Sequence, residues 1–343
     1  MENNNVSLAQ DAAAVQAADL TEPIPQKRKI NRAKLQENIW GWIFVSALFI
    51  GTTVFTYIAF ALSVWISFTD YDAFIMTTFW EGLGSIHPDG FLHWYQFMFT
   101  PEGALGIYGE AEDFWGTLGT TCFYLIGIPI GMALSLGISV LMTRDIKFTG
   151  TFRVIYYIPT VASTVSIAVM WTNLFGDGGF METVFGIDLL SAGGSYWAQR
   201  ACVIILTVWK GLGGTGVLFV AGLNGVNASY HEAAEIDGAN AWSIFWRITM
   251  PQLYPTIFYV LVTSVIGGMQ IFIEPNLIFG NYPATGNMAT SGTRYNIPFV
   301  GYIFGVFNNG EWAHASALGI ILAIIIFFLT LIQFALDARR DKV

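Results

Sequence analysis

Long uncharged stretches constrain the fold of this chain more than any other feature of its sequence. Each of them exceeds the roughly 20 residues that a helix needs to cross the hydrocarbon core of a bilayer. Only 11% of the 343 residues are charged, whereas a soluble domain carries roughly 25%, so the chain is predicted to be a membrane protein. The stretches without Asp, Glu, Lys or Arg lie between Glu37 and Asp70, Asp113 and Arg144, Arg153 and Asp177, Arg247 and Glu274, and Glu311 and Asp337.

A sixth apolar stretch contains a single charge, Lys210. Helices are favoured over a β-barrel because the stretches are long and continuous, whereas barrel strands alternate in segments of roughly ten residues. The predicted fold class is an all-α membrane protein with six transmembrane helices. The predicted spans are residues 39–67, 115–142, 153–175, 200–223, 253–279 and 312–336.

The basic residues are distributed unequally between the two sides that six spans define. Segments on the side of the N-terminus carry twelve Lys and Arg residues, whereas the opposite side carries only Arg200 and Arg294. Because positively charged loops remain in the cytoplasm, both termini of this multi-pass protein are predicted on the cytoplasmic side of the inner cell membrane. The predicted tails are residues 1–38 and 337–343, and the transmembrane domain is 39–336.

The sequence indicates no catalytic or metal site. The two cysteines, Cys122 and Cys202, lie inside predicted spans, and the four histidines, at positions 87, 93, 231 and 314, show no ligand spacing. A phosphate-binding P-loop needs Gly-Lys-Ser or Gly-Lys-Thr, and none of the six lysines is preceded by Gly or followed by Ser or Thr. The chain is therefore not expected to be an enzyme or to hydrolyse ATP.

Two loops stand out by length. The first external loop, 68–114, carries eight acidic residues and no basic one, and its aromatic residues favour a small cap. The cytoplasmic loop 224–252 predicts two short helices, since Gly238 follows a helix-forming stretch and residues 241–250 resume the helix before Pro251 stops it. Its apolar residues allow two interpretations: an amphipathic link on the membrane surface, or a helix presented to a groove on a soluble partner.

This loop carries a recognisable motif. Glu232-Ala233-Ala234 is followed after three residues by Gly238, after nine more by Ile248, and after one more by Met250-Pro251. The pattern resembles the EAA signature of ABC importer permeases, with Met250 in place of Leu. The surrounding stretch LFVAGLNGVNASYHEAAEIDGANAW is similar to carbohydrate importer permeases of the MalF type. The resemblance extends over roughly residues 40–338.

The resemblance implies a coupling role for the loop and a set of partners. The loop would dock in a cleft of two cytoplasmic ATPase subunits, which bind ATP and Mg²⁺, so that this chain needs no cofactor. A second homologous permease subunit, an extracellular or periplasmic solute-binding protein, a sugar substrate and membrane lipid complete the expected partners, without nucleic acid. The predicted coupling residues are Glu232, Ala233, Ala234, Asp237, Gly238, Ile248 and Pro251.

The predicted solute path combines the fourth and fifth spans. An unpaired Lys210 at mid-membrane would cost about 2.5–3.5 kcal/mol, so it either pairs with a buried acid, for which Glu274 is a candidate, or lines the path. The glycines that follow Lys210 either pack helices or open space for a solute. Ser264, Gly268, Ile271 and Pro275 share one helical stripe, and the small residues followed by a break at Pro275 suggest a groove in this helix. By the resemblance, Ser264 and Gly211 match positions that contact sugar. The predicted path residues are Lys210, Gly211, Ser264, Gly268 and Ile271.

Aromatic and amide side chains of these spans could also grip a sugar, although such residues more often anchor or pack spans. They are Trp171, Trp209, Gln270, Phe272 and Asn276. The sequence thus predicts the permease subunit of an ATP-driven importer of a sugar or oligosaccharide. The alternatives are an ABC permease for a non-sugar solute and a secondary transporter that works without an ATPase.

Overall fold

The structure is a computed structural model. It describes residues 32–72, 79–98, 113–143, 149–176, 178–187, 189–190, 195–279 and 296–340. The segment 1–31 of the predicted N-terminal tail, residues 341–343 of the C-terminal tail and residues 280–295, between the fifth and sixth predicted spans, lie outside the described residues. Residues 1–61 and 62–343 form two units, and each is described by itself.

The described residues form sixteen α-helices and two π-helical segments, Thr53–Ile58 and Phe245–Thr249, and they contain isolated β-bridges but no strand. The α-helices are α1 Arg32–Thr52, α2 Ala59–Ile66, α3 Phe79–Gly84, α4 His93–Phe97, α5 Asp113–Tyr124, α6 Gly127–Met142, α7 Thr149–Val161, α8 Thr164–Phe175, α9 Phe180–Phe185, α10 Tyr196–Asn224, α11 Ala228–Ile236, α12 Ala241–Ile244, α13 Met250–Met269, α14 Ile273–Ile278, α15 Phe299–Asn308 and α16 Trp312–Arg340.

Among the described residues, five continuous helices are long and apolar enough to cross a membrane. The helix pair Gly150–Val161 and Thr164–Phe185, which is bent by 95°, brings the number to six when it is counted as one span. The predicted all-α fold with six apolar spans is therefore confirmed at the level of helix length and composition. The five continuous helices are Asn38–Ile66, Phe114–Met142, Tyr196–Asn224, Ala241–Met269 and Trp312–Arg339.

Two of the predicted spans are interrupted. The third bends after α7, which contains Pro159; a proline inside a helix lacks the N–H that the helical ladder requires. The fifth was predicted as residues 253–279, but α13 ends at Met269 and α14 begins only at Ile273. The break therefore precedes Pro275 instead of falling on it, and it leaves backbone between Gln270 and Phe272 outside any helix.

The prediction that Pro251 stops the second helix of the cytoplasmic loop is wrong. α12, the π-helical segment Phe245–Thr249 and α13 form one continuous helix, Ala241–Met269. Pro251 occupies the first turn of α13, directly after the π-helical segment. A first-turn proline is tolerated because its missing N–H interrupts no interior α-helical bond, and the wider π turn changes the hydrogen-bond register just before it.

α10 is the central helix of the unit 62–343, packing against α6, α7 and α13. Ser135 and Ser139 of α6 donate to the carbonyl oxygens of Leu212 and Gly216 at 3.0 and 3.2 Å. Such contacts suit a membrane interior, where small residues and interhelical hydrogen bonds replace the hydrophobic driving force between helices. They fix α10 as the scaffold on which the neighbouring helices are positioned.

The described part of the first external loop, together with α15 and α16, forms a packed layer at one end of the bundle. The backbone N–H of Ala313 donates to the carbonyl of Tyr71, and the Trp94 indole stacks on His314. Two of the histidines, for which the sequence indicated no ligand spacing, lie close together in this layer. His87 and His93 lie beside Asp89, because a turn at Gly90 returns the chain and closes their separation in sequence.

Candidate solute cavity and cytoplasmic groove

A cavity of about 350 Å³ lies between α6, α10, α13 and α14. The break between α13 and α14 forms part of its wall and contributes non-helical backbone there. Backbone outside a helix is tolerated at membrane depth where it lines a cavity. The lining residues are Tyr124, Gly127, Ile128, Gly131, Met132, Thr207, Val208, Gly211, Thr215, Ser264, Gly267, Gly268, Gln270, Ile271, Phe272, Ile273 and Glu274.

Four of the five predicted path residues line this cavity: Gly211, Ser264, Gly268 and Ile271. Lys210 is not among the lining residues. Its Nζ lies 2.7 Å from Oε1 of Glu274, which does line the cavity. The stripe of small residues on α13 and the glycine on α10 thus face one space, although neither helix shows this from its own sequence.

The Lys210–Glu274 pair joins three helices inside the predicted membrane interior. The Lys210 ammonium also donates to Oγ1 of Thr164 on α8 at 2.6 Å. The two charged side chains are 21% and 17% exposed, so each replaces most of the solvation that the other has lost. The partner proposed from sequence is therefore the partner in the structure, and the pair leaves no net charge at the cavity wall.

The glycines that follow Lys210 divide between the two roles considered from sequence. A Cβ on Gly213 would lie 2.4 Å from Oγ1 of Thr160, and a Cβ on Gly216 would lie 2.5 Å from the Tyr156 ring, so both are helix-packing positions. A Cβ on Gly211 would meet nothing within 4 Å. Gly211 therefore opens space, whereas Gly213 and Gly216 allow α7 to approach α10.

Gln270 and Phe272 line the cavity, which sequence reasoning had considered but not selected. Trp171 and Trp209 instead stack on each other at 5.6 Å, and the Trp171 indole N–H donates to Sγ of Cys202. The amide oxygen of Asn276 is buried without a partner. Gln270 and Phe272 reach the cavity because the helix is broken where they lie. Neither the spacing of apolar residues nor the position of a proline marks this break in the sequence.

Thr207, Val208 and Thr215 of α10 complete the wall and were missed entirely. Thr207, Gly211 and Thr215 recur every four residues, and Val208 lies three residues before Gly211, which places all four on one face of the helix. That spacing was visible in the sequence. It could not be separated from ordinary packing because every face of a transmembrane helix is apolar or small.

The loop 224–252, which is predicted to be cytoplasmic, forms a separate groove of about 580 Å³. Five of its eight lining residues belong to the predicted coupling set: Ala233, Ala234, Asp237, Ile248 and Pro251. Tyr230, Arg247 and Gln252 complete the lining. Glu232 and Gly238 lie on the same loop but do not line the groove. The groove is therefore built by α11 on one side and the start of the helix Ala241–Met269 on the other.

Local hydrogen bonds explain why the loop folds as two helices. Asn227 caps α11 by accepting from the Ser229 N–H at 3.0 Å, and Asn240 caps α12 by accepting from the Ser243 N–H at 2.8 Å. Gly238 has φ +78°, a left-handed conformation that favours glycine after a helix end. The side chain of His231 contacts the Thr249 hydroxyl at 3.0 Å, which ties α11 to the π-helical segment.

The helices beside the groove carry exposed apolar side chains. Ile236 on α11 is 87% exposed and Trp242 on α12 is 71% exposed, and neither lines the groove itself. Aromatic and aliphatic side chains in such positions are typical of a surface that a partner covers. The cavity, in contrast, is lined mainly by side chains that are at least partly buried.

Two long helices connect the cavity with the groove. The helix Ala241–Met269 carries Ile248 and Pro251 at the groove and Ser264 and Gly268 at the cavity. Pro251 and Ser264 are about 20 Å apart along a helix that rises 1.5 Å per residue. α10 carries the opposite cavity wall and ends only four residues before α11 begins. The helix Ala241–Met269 therefore spans the distance between the groove and the cavity.

Apolar spans, a cavity between them and a surface groove at the end of the same helices are typical of a membrane-embedded transport subunit. Residues 127–342 match the family model of the binding-protein-dependent transport system inner membrane component. This match covers more than half of the chain, and the chain belongs to that family.

Curated relatives extend the similarity over most of the chain. The chain is 31% identical over 317 residues to the probable ABC transporter permease protein YesP of Bacillus subtilis, covering 89% of this chain and 93% of that protein. It is 32% identical over 234 residues to the arabinooligosaccharides transport system permease protein AraP of the same species, covering 65% and 70% of the two chains.

The fold also resembles a solved structure. With a TM-score of 0.67 and 20% identity, the chain matches a subunit in the crystal structure of a bacterial alginate ABC transporter in complex with an alginate pentasaccharide-bound periplasmic protein. The match covers 91% of this chain and 98% of that chain, and at this identity it supports the fold alone.

The family confirms three predictions and contradicts one alternative. This protein is a permease subunit of an ABC importer, it is an integral membrane protein, and it is a transport protein rather than an enzyme. The alternative of a secondary transporter is overturned, because the family consists of components of binding-protein-dependent systems.

Proposed function

We propose that this permease subunit moves a sugar or oligosaccharide through the cavity and is driven by cytoplasmic ATPase subunits that dock on the groove. The observation that carries the proposal is the continuous helix Ala241–Met269, which has coupling-loop residues at one end and cavity residues at the other. ATP and Mg²⁺ belong to the ATPase partners, and this chain supplies no cofactor site. Both termini lie in the cytoplasm, on the same side as the groove.

The partner of the groove would be a helix-binding cleft on each ATPase subunit. Glu232 is exposed beside the groove and is available to a cationic group. Ala233 and Ala234 have small side chains that permit close approach, and Gly238 turns the chain between the two helices. When the ATPase subunits close, they would displace α11 and the foot of α13, and with them the walls of the cavity.

The sugar assignment rests on the relatives and on the cavity's chemistry. Similar permeases serve arabinooligosaccharide transport in Bacillus subtilis and trehalose/maltose transport in Thermococcus litoralis. The cavity offers hydroxyl and amide groups on Ser264, Gln270 and Thr207 together with the aromatic ring of Phe272. A sugar needs both, because its hydroxyl groups and its apolar ring face are desolvated together.

The charge balance of the cavity favours a neutral sugar. Glu274 is the charged residue among the described lining residues, and it is paired with Lys210 at 2.7 Å. A carboxylated sugar would face a cavity wall with no uncompensated cation. A second permease subunit would supply the facing half of the path, and an extracellular or periplasmic binding protein would deliver the sugar. A non-sugar solute is the competing cargo.

Coupling is tested in proteoliposomes that contain the complete transporter with its ATPase subunits and binding protein. Ala233→Trp places a large side chain in the groove, whereas Ala228→Trp places the same side chain at the exposed start of α11, outside the lining residues. We expect Ala233→Trp to lower ATP-dependent uptake by at least about tenfold, which corresponds to 1.4 kcal/mol, while insertion is unchanged. The Ala228→Trp control should retain uptake.

Equal uptake by the two variants would contradict docking on the groove. The cargo is tested separately, by measuring uptake of labelled neutral sugars, an acidic sugar and non-sugar solutes by the unaltered transporter. Neutral sugars are expected to be taken up in preference. Transport of a non-sugar solute alone would replace the sugar assignment and leave the coupling result intact.

A further inference from the structure

A cluster of two histidines and an aspartate lies in the described part of the first external loop, away from the cavity and the groove. The backbone N–H of Gly90 donates to the carbonyl of His87 at 3.0 Å, and the N–H of His93 donates to the carbonyl of Gly90 at 3.1 Å. Gly90 has φ +115°, which favours glycine at this turn. The turn places the rings of His87 and His93 parallel, with centroids 3.5 Å apart.

The ligand atoms of the cluster converge. Oδ2 of Asp89 lies 3.7 Å from Nδ1 of His87 and 3.6 Å from Nδ1 of His93, and one ligand atom from each residue falls within 4.8 Å of the others. A tetrahedral Zn²⁺ ion with bonds of about 2.0–2.1 Å holds its ligand atoms about 3.3 Å apart. The ligand atoms are therefore slightly farther apart than in a formed Zn²⁺ site, and rotations of the side chains that bring them closer would close the cluster around an ion.

One imidazole presents a nitrogen that can bind metal. The backbone N–H of Asp89 donates to Nδ1 of His87 at 3.2 Å, so that this nitrogen acts as the acceptor, and an ion would replace this hydrogen bond. A ring nitrogen with a free lone pair is the group that serves as a metal ligand.

The surroundings combine rigid support with access and negative charge. The Trp94 ring packs edge-on against both imidazoles, at 5.5 Å and 5.0 Å, and its indole N–H donates to the carbonyl of Thr69 at 2.9 Å. The Asp89 side chain is 73% exposed, so the open side of the cluster faces solvent. No Lys or Arg occurs between Asp70 and Asp113, and Oδ1 of Asp70 lies 3.8 Å from Nε2 of His87.

We propose that His87, Asp89 and His93 bind one divalent transition-metal ion of the Zn²⁺ class on the external face of this permease. Two imidazoles and a carboxylate suit Zn²⁺, and three protein ligands leave a fourth position for water. The ion would join the turn at Gly90 to α4. α4 in turn reaches α16 through the stacking of Trp94 on His314, so the ion would stabilise this layer of the external side.

The test uses the purified full-length chain carrying an affinity tag without histidine, equilibrated with Zn²⁺ alone and then freed of excess ion. We expect one Zn²⁺ per chain by elemental analysis, and a visible spectrum of tetrahedral Co²⁺ when Co²⁺ replaces it. His87→Gln and His93→Gln should each weaken Zn²⁺ binding by at least about tenfold, and the double variant should retain none. His231→Gln removes a histidine on another loop and should bind Zn²⁺ like the unaltered chain.

Asp89→Asn separates a loss of Zn²⁺ binding from a loss of folding, because this exposed side chain can be neutralised without disturbing packing. It should weaken Zn²⁺ binding while the melting temperature without metal stays unchanged. Added Zn²⁺ should raise the melting temperature of the unaltered chain and not that of the double variant. Equal Zn²⁺ binding by the double variant, or no Zn²⁺ retained by the folded unaltered chain, overturns the proposal. None of these measurements depends on transport or on the ATPase.

Discussion

Two faces of α10 use the same short run of glycines in opposite ways. On one face, Gly213 and Gly216 lie against α7 so closely that a Cβ at either position would collide with Thr160 or Tyr156. On the other face, Gly211 borders the cavity and has no atom within 4 Å of an added Cβ. Residues two positions apart point in nearly opposite directions on a helix, so the run supports packing and solute access at once.

The packed face and the cavity face of α10 differ in the neighbouring groups that they contact. The packed face is completed within this chain by the hydroxyls of Ser135 and Thr160, the latter donating to the carbonyl of Lys210 at 2.7 Å. The cavity face is not filled by side chains. The charge of Glu274 at the cavity wall is balanced by the ion pair with Lys210. Substitutions on the packed face should therefore change stability, and substitutions on the cavity face should change transport.

The largest loss of stability is expected when the ion pair between Lys210 and Glu274, at the cavity wall, is broken. Lys210→Met would leave the Glu274 carboxylate without its partner in a site where the side chain is 17% exposed. Removing one member of a buried pair destabilises a protein by about 3–5 kcal/mol. We expect a loss of this order, measured as the unfolding free energy of the purified chain in detergent.

The double variant Lys210→Met with Glu274→Gln separates pairing from simple loss of side chains. It removes both charges and should recover most of the stability that either single substitution loses, giving a strong coupling in a double-mutant cycle. Additive losses from the two single variants would show that the 2.7 Å contact contributes little. In that case the cavity wall would contain two independent charges.

The next largest effect is expected on the packed face, where Gly213 can be compared with its neighbour Gly214. Gly213→Ala would place a Cβ 2.4 Å from the Thr160 hydroxyl oxygen and 3.0 Å from the Tyr156 carbonyl oxygen, whereas the Cβ of Gly214→Ala would lie 3.6 Å from Cγ2 of Thr160. Overpacking costs about 1–3 kcal/mol. We expect thermal denaturation in detergent to show that Gly213→Ala lowers stability and that Gly214→Ala leaves it unchanged or slightly raised.

Similar losses of stability from Gly213→Ala and Gly214→Ala would mean that the closer contact of Gly213 with α7 does not determine the cost of an added Cβ. Gly211→Ala is the second control, since its Cβ would enter open space. It should preserve stability while the methyl group occupies part of the cavity. A clear loss of stability in the Gly211→Ala variant would contradict the assignment of Gly211 to the open cavity face of α10 and of Gly213 to the packed face.

Much of this architecture follows from the sequence because charge is so unevenly distributed. The uncharged stretches predict where the spans lie, since no alternative to a helix can bury the backbone of so many consecutive residues in lipid. The first and last helices nevertheless extend beyond their predicted ends, to Arg32 and Arg340. Charge marks where a helix leaves the membrane and does not mark where it ends.

The site was predictable where a motif fixes spacing and unpredictable where helices break. Five of the seven predicted coupling residues line one groove, whereas Glu232 and Gly238 do not. The break between Met269 and Ile273 exposes Gln270 and Phe272 to the cavity, and no local signal announces it. Pro251 and Pro275 were misleading, because a proline forbids a hydrogen bond at its own nitrogen without dictating where the helix ends.

The smallest effect concerns solute contact on α13. Ser264 lines the cavity, whereas its neighbour Thr263 is exposed on another face and donates to the carbonyl of Tyr259 at 2.8 Å. A hydrogen bond contributes about 0.5–1.5 kcal/mol, which amounts to roughly a twofold to tenfold change in affinity. Ser264→Ala should therefore raise the sugar concentration for half-maximal uptake by this factor, with protein stability preserved.

Thr263→Ala is the matched control, because it removes a hydroxyl of similar size one position away. Its hydroxyl bonds to its own helix and does not line the cavity, so the concentration dependence of uptake should stay as in the unaltered transporter. Equal shifts from both substitutions would indicate a general change of α13 instead of a lost solute contact. A shift from Ser264→Ala alone would place the sugar against the open face that Gly211 and α13 share.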